Sequence, residues 1–232
     1  MTAYNERVAF CHIPKTAGHA VRAYMAEHLP GLKHFSDTHP HGGSYGHVAL
    51  RDFKRHCGRG PEDFERIYAV VRDPYDHQLS QWIYWQDMFK RGFRGDQFEH
   101  AALHSDLTHW LMDPISDWHV HDRREVGDVY RTTATTDQGY REFGGYYPYW
   151  LAVDGVIPDN VQVVSFEHLD TELPMALKEF TGIVREMTHE NVGPKRRTKD
   201  PYEYYSALAV EIVEAKFAWA FENLYQKWEK VA

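Results

Sequence analysis

The chain has 232 residues, 43% hydrophobic and 15% aromatic, which suits one large domain with a sizeable core. A formal charge of −8 argues against a general nucleic-acid binder or a membrane-surface protein, although local Lys, Arg and backbone N–H groups can still hold a polyanionic cofactor. No apolar run approaches bilayer length, residues 1–7 lack a signal-peptide core, and the two cysteines, Cys11 and Cys57, give no disulfide framework. The expectation is a cytoplasmic, reducing setting with Cys11 as a small buried side chain; a lumenal domain cut from a membrane-anchored parent is the alternative.

In chain order, Arg7 to Ile13 reads as a short buried strand ended by Pro14. Gly18 to Leu29 reads as a helix with Ala20, Val21, Tyr24, Met25 and Leu29 on its apolar stripe, stopped by Pro30 and Gly31. His34 to His47 reads as a loop, and Val48 to His56 as a short helix closing at Gly58. Arg66 to Val71 is a second buried strand, and Asp73-Pro74 opens a helix running to about Lys90. Between Arg91 and Tyr149 the pattern shows helical pieces, as around Gln97 to Met112, and no firm strand. Val161 to Phe166 is a third strand, followed by a helix from about Leu173 to Thr181. A basic stretch, His189 to Asp200, precedes a long helix from Pro201 to Trp228. Apolar strands alternating with helices predict an α/β fold, a parallel sheet covered on both faces.

Two junctions carry chemistry. His12-Ile13-Pro14-Lys15-Thr16-Ala17-Gly18 lies where a strand becomes a helix, and unpaired N–H groups and the helix dipole favour an anion there. Lys15 adds charge, Thr16 a hydroxyl, and Gly18 a backbone open to close approach. The longer GxxxxGK[ST] pattern of nucleotide triphosphatases is absent. Alone, the loop reads equally well as a plain tight connection. At the second junction, Arg72 leaves the carboxyl edge of a strand and Ser80 follows eight residues later on a helix face shared with Asp76, Ile83 and Tyr84. An Arg fork with a hydroxyl can cradle a second phosphate, while an Arg paired with a carboxylate beside a solvent-facing Ser is the plain alternative.

HIPKTAG and RDPYDHQLS together resemble the 5′-phosphosulfate loop and the 3′-phosphate motif of sulfotransferases that use 3′-phosphoadenosine 5′-phosphosulfate (PAPS). The likeness is to the carbohydrate branch that includes heparan sulfate 2-O-sulfotransferase. Val163 to Leu169 is similar to that family's late strand and turn, and the basic stretch before Pro201-Tyr202 resembles its C-terminal cofactor loop. The resemblance implies a P-loop-like α/β fold as one domain over residues 1–232, with residues 91–149 a largely helical, acceptor-side insertion. It implies that Pro14, Lys15, Thr16, Ala17, Gly18, His19 and Ala20 surround the phosphosulfate, with Arg72 and Ser80 at the 3′-phosphate. Arg196 and Arg197, with Lys199, would close over the cofactor, or form a solvated charged loop. Tyr45-Gly46-His47-Val48 with Asp52-Phe53 looks like the segment bearing the family's catalytic His, which makes His47 the general base. The chain departs from the family at His19-Ala20, where Thr-Ser is common, and at His77, where Arg is frequent.

The implied chemistry is in-line transfer of the sulfuryl group to a hydroxyl of a glycan or glycoconjugate, leaving PAP. His47 would take the acceptor's proton while Lys15 meets charge on the bridging oxygen. That scheme requires no metal, nucleic acid or membrane span. His39-Pro40-His41 and His119-Val120-His121 lack a full ligand set for a metal. Trp110, Trp118, Tyr146, Tyr147, Tyr149 and Trp150 suit either sugar stacking or core packing. Three other functions stay open: sulfation of a small phenol or alcohol, phosphotransfer from a nucleotide triphosphate, and a non-catalytic nucleotide-binding module.

Overall fold

The computed structural model describes residues 2–34, 47–94, 96–112, 121–126, 129–134, 144–187 and 200–225. In chain order its elements begin with β1 (Ala3–Tyr4), β2 (Val8–Cys11), α1 (Gly18–His28), β3 (Lys33–His34), α2 (Phe53–Cys57), β4 (Arg66–Val71) and α3 (Pro74–Lys90). There follow α4 (Asp96–Leu103), α5 (Leu107–Met112), β5 (His121–Val126), β6 (Val129–Ala134), α6 (Tyr146–Leu151) and β7 (Val161–Ser165). The chain closes with α7 (Leu169–Thr181), α8 (Ala207–Lys216) and α9 (Ala218–Asn223). Two compact units result: Met1–Asp73 with Tyr147–Val192, and Pro74–Tyr146 with Gly193–Ala232.

The first unit is built on a five-stranded sheet of order β3-β1-β2-β4-β7. Strands β2, β4 and β7 are parallel, in a register that sets Cys11 beside Ala69 and Val71 beside Ser165. The sheet is mixed rather than wholly parallel, because β1 runs antiparallel to both β2 and β3. These two-residue strands are too short to show a period in the sequence. Side chains alternate across the pleat. Val8, Phe10, Tyr68, Val70 and Val164 face Val21, Tyr24 and Met25 of α1 and Leu169, Leu173 and Leu177 of α7. Each of these large side chains stabilises the fold by roughly 1.5–3 kcal/mol through burial. On the opposite face Cys11 is fully buried, its Sγ 3.5 Å from the Val48 carbonyl and 3.8 Å from that of Trp150. Burial pushes its thiol up, away from thiolate chemistry.

The helix expected from Val48 to His56 is a 3₁₀ turn, Leu50–Asp52, running into α2. It stops at Gly58, whose φ of 77° is left-handed and whose N–H closes on the Lys54 carbonyl at 3.0 Å. Arg51 fastens this segment to α6: its Nη1 donates to the Tyr149 carbonyl at 2.6 Å and its guanidinium lies 4.1 Å over the Tyr149 ring.

In the second unit α3 packs on α4, α5 and α8. Trp85 meets Trp110 edge-on at 5.7 Å, and Val210 and Val213 of α8 are buried. Residues 91–149 are not wholly helical, since β5 and β6 form an antiparallel hairpin pairing Val126 with Val129. Nor is the C-terminal helix continuous. Pro201–Tyr204 is a separate 3₁₀ turn capped by Asp200, α8 starts at the Ser206 cap, and Phe217 leaves helical geometry before α9. Ser206 Oγ accepts the Ala209 N–H at 3.2 Å, a bond that favours starting a helix there over passing through. Tyr146, Tyr147, Tyr149, Trp150 and Trp110 are all buried, so this aromatic run is packing rather than a stacking platform; Trp118 lies outside the described residues. Among the described residues no helix is long and apolar enough to cross a membrane.

Candidate active site

Parallel pairing of β2, β4 and β7 brings their carboxyl ends to one edge of the first unit's sheet. Open α/β sheets bind ligands at that edge. From β2 the chain turns through Pro14 to Ala17 and enters α1. Lys15 (φ 64°) and Ala17 (φ 58°) are both left-handed without being glycine. Such residues cost roughly 1–3 kcal/mol each and concentrate at functional sites. Left-handed residues in a tight turn also curl N–H groups toward one side, as in an anion-binding nest. The first helical bond of α1 is Val21 N–H to the Ala17 carbonyl at 3.1 Å, which leaves the N–H groups of Gly18, His19 and Ala20 ahead of the intrahelical ladder.

Lys15 is largely buried, and its amine is pushed down to about 7 by lost solvation and then by the nearby Arg72 charge. Arg72 is itself buried: its Nη1 donates to the Lys15 carbonyl at 3.1 Å and its guanidinium lies 4.1 Å over the Phe166 ring. The two junctions that the sequence assigned to separate phosphates therefore meet at one loop. Tyr147 fixes the Arg72 backbone from both sides, accepting its N–H at 2.9 Å and donating to its carbonyl at 2.5 Å. Next to it, the Asp73 N–H donates to Glu167, whose other oxygen accepts from Ser165 Oγ at 2.6 Å. That pairing ties the end of β4 to the end of β7.

His47 is held against the end of β2. Its Nδ1 lies 3.0 Å from the His12 carbonyl, which can only accept, so Nδ1 carries the proton and Nε2 keeps its lone pair when the ring is neutral. Thr2, fully buried, accepts the N–H of His12 at 3.4 Å and of Val48 at 3.3 Å, joining the two segments. The His12 ring lies 4.2 Å from that of His47, and the His19 ring 6.4 Å from His12. His19 reaches solvent, yet its pKa is held below the ordinary value chiefly by lost solvation, with Arg22 and Lys15 adding.

Several expected contributions change. The Thr16 hydroxyl is fully buried and donates to the Ile13 carbonyl at 2.8 Å, so its proton closes the loop rather than meeting a ligand. The Ala20 methyl packs in the core cluster, leaving only its N–H toward the loop. The space beside Gly18 is filled by the His12 ring, and an added Cβ would sit 1.8 Å from Nε2. Pro14 is buried at the start of the turn. Ser80, half-buried on α3, belongs to the second unit. His77 is buried in that unit's core, 4.9 Å from Tyr146 and 5.5 Å from Phe217. Arg196, Arg197, Lys199, His39, His41 and His119 lie outside the described residues. Among the described residues no three His, Cys, Asp or Glu side chains are grouped to hold a metal ion.

Thr2 was absent from the sequence reading, and His12, Tyr147, Phe166 and Glu167, though they fall in segments it named, were given none of the contacts they make here. They act through contacts between distant segments, with Arg72 and Tyr147 75 residues apart, and no local spacing announces such pairs. Neither family models, curated proteins nor solved structures yield a match to the chain.

Proposed function

We propose that this chain is a PAPS-dependent sulfotransferase acting on a hydroxyl of a carbohydrate or glycosylated acceptor. One observation carries the reading: the Arg72 guanidinium donates to the Lys15 carbonyl of a left-handed loop at the N-terminus of α1, and its charge adds to lost solvation in lowering the Lys15 pKa. An anion bound beside the two cations would relieve their mutual repulsion. The PAPS-type motifs on these same residues narrow the anion from phosphate in general to a phosphosulfate. PAPS, when bound, supplies the sulfuryl group.

In this reading Lys15 and the N–H groups of Gly18, His19 and Ala20 bind the phosphosulfate, and Lys15 neutralises charge on the oxygen that leaves. Arg72 takes a phosphate oxygen with its guanidinium fork; the assignment of Ser80 to the 3′-phosphate rests on the sequence pattern alone. His47 accepts the acceptor's proton at Nε2 while Nδ1–H stays on the His12 carbonyl, which fixes the ring's direction. The preset loop lets these groups act with little reorganisation.

A thermal-shift series tests the cofactor class. PAP and PAPS should each raise the melting temperature, and ATP and AMP should raise it far less. Stabilisation by ATP without PAP would overturn the proposal in favour of a triphosphate enzyme. Transfer of labelled sulfate to a panel of glycans and small phenols then identifies the acceptor class. His47→Ala should bind PAP normally and lose turnover; retained turnover would remove His47 as the base.

A further inference from the structure

Gly18 stands at the first position of α1 and is not among the glycines with a left-handed φ. Its backbone is therefore open to any residue, and the need for glycine is a need for room. What fills that room is His12. A Cβ added at Gly18 would lie 1.8 Å from His12 Nε2, 1.9 Å from Cδ2 and 2.4 Å from Cε1, so the ring edge sits directly on the Gly18 backbone. The ring is only 5% exposed and stacks on Phe10 at 5.7 Å with a 20° interplanar angle. It also meets the His47 ring at 4.2 Å, while the carbonyl of the same residue holds His47 Nδ1. One residue thus touches the helix N-terminus that receives the anion and supports the imidazole proposed to take the proton.

We propose that His12 is the positioning residue linking the anion loop to His47, and that Gly18 is glycine in order to admit the His12 ring. The steric half of this stands on the geometry alone; the catalytic half rests on the sulfotransferase reading. With the ring wedged between Gly18 and His47, a shift of the loop moves His47 with it. Packed interiors transmit such shifts because they contain little free space.

A double-mutant cycle in the full chain tests both halves. Gly18→Ala alone should lower the melting temperature and weaken PAP binding, because the added methyl and the His12 ring cannot share the space. His12→Ala should leave PAP affinity within about threefold of wild type but lower kcat by on the order of 10- to 100-fold, as expected for a misplaced base. Its acceptor KM should change little. The double variant should regain the melting temperature of His12→Ala. A Gly18→Ala chain that fails to fold, beside a double variant that folds, supports the steric link equally. Ring ¹⁵N shifts of His47 should report an Nδ1-protonated form in wild type and should move in His12→Ala, where the packing ring is lost although the backbone carbonyl remains.

Additive effects, with Gly18→Ala equally damaging in both backgrounds, would overturn the steric assignment. Unchanged kcat and unchanged His47 shifts in His12→Ala would overturn the positioning role. If wild type fails to bind PAP, the sulfotransferase reading fails, while the melting temperatures and ¹⁵N shifts still decide the link from Gly18 through His12 to His47.

Discussion

Binding of PAP should draw a proton onto Lys15, and the size of the effect follows from its burial. In the unliganded protein the amine titrates near 7 because solvent is stripped away and Arg72 lies close, against an ordinary value of 10.5. A phosphate beside it favours the charged form and restores a value near the ordinary one. The ligand then selects the protonated amine, which becomes scarce as pH rises above 7. With an unliganded value of about 7 and a bound value of about 10.5, the dissociation constant should rise about 50-fold between pH 7 and 9, roughly 2 kcal/mol. At pH 8 each binding event should take up about 0.9 proton. His19 is held below its ordinary value by lost solvation, and the Lys15 variants separate any share it takes from that of the lysine. Titration calorimetry in two buffers of different ionisation enthalpy reads the proton directly. Lys15→Arg keeps the charge without titrating and should bind with a flat pH profile; Lys15→Met should bind weakly and also flatly. A wild-type affinity constant from pH 7 to 9, with buffer-independent enthalpy, would refute Lys15 as the buried amine that receives the anion.

Tyr147→Phe deprives the buried Arg72 N–H and carbonyl of their shared partner, and denaturant melts should show a loss of about 1–3 kcal/mol. PAP affinity should fall alongside, since Arg72 loses its backbone anchor; unchanged affinity would separate the anchor from the site. In the second unit, Lys216 is buried with Nζ on Gln78 Oε1 at 3.1 Å, and burial lowers its pKa to about 7. Because the folded value lies below the unfolded 10.5, the unfolded chain binds the extra proton between those values, so this group's contribution to stability rises as pH rises from about 7 toward 10.5. Lys216→Met should remove that slope, so that its stability relative to wild type falls by about 2 kcal/mol from pH 7 to 9 in urea melts. Parallel pH profiles for the two proteins would show that Lys216 is charged in the fold.

Legibility in the sequence followed the range of the interaction. α3 runs from Pro74 to Lys90 as the sequence predicts, because Asp73-Pro74 punctuates its start. β2 and β4 are apolar runs ended by breakers, and they too were plain. The hairpin was missed because His121 to Glu125 shows no apolar alternation. Yet Val126-Gly127-Asp128-Val129 places a Gly-Asp pair between two β-branched residues, a recognised two-residue connection. Ser206 likewise offered a cap inside the supposed C-terminal helix. In the site, the sequence supplied residue types but not directions. Thr16 carries a hydroxyl, and only the fold shows that it donates to Ile13. Gly18 suggested access for a ligand, and only the fold shows a histidine there.

That difference bears on which features identify a site. A strand, a tight turn and a helix start recur in every α/β protein, and stability alone accounts for them. The loop here combines three features: left-handed Lys15, left-handed Ala17, and a neighbouring Arg72 charge that adds to lost solvation in lowering the Lys15 pKa. The left-handed residues are unfavourable by themselves, and repulsion by Arg72 disfavours the charged form of Lys15, while Arg72 itself gains a hydrogen bond and a stacking contact with Phe166. Where such features coincide, the proposed anionic ligand fits, because its charge would favour the protonated Lys15 and its oxygens would use the N–H groups that the turn presents. The same reasoning sets Lys216 apart. It is more deeply buried, but its backbone is ordinary helix and its amine donates to the neutral Gln78, so its burial coincides with neither backbone strain nor a second cation. Burial of a lysine is therefore weak grounds for a site, and its coincidence with backbone strain and a second buried cation is strong.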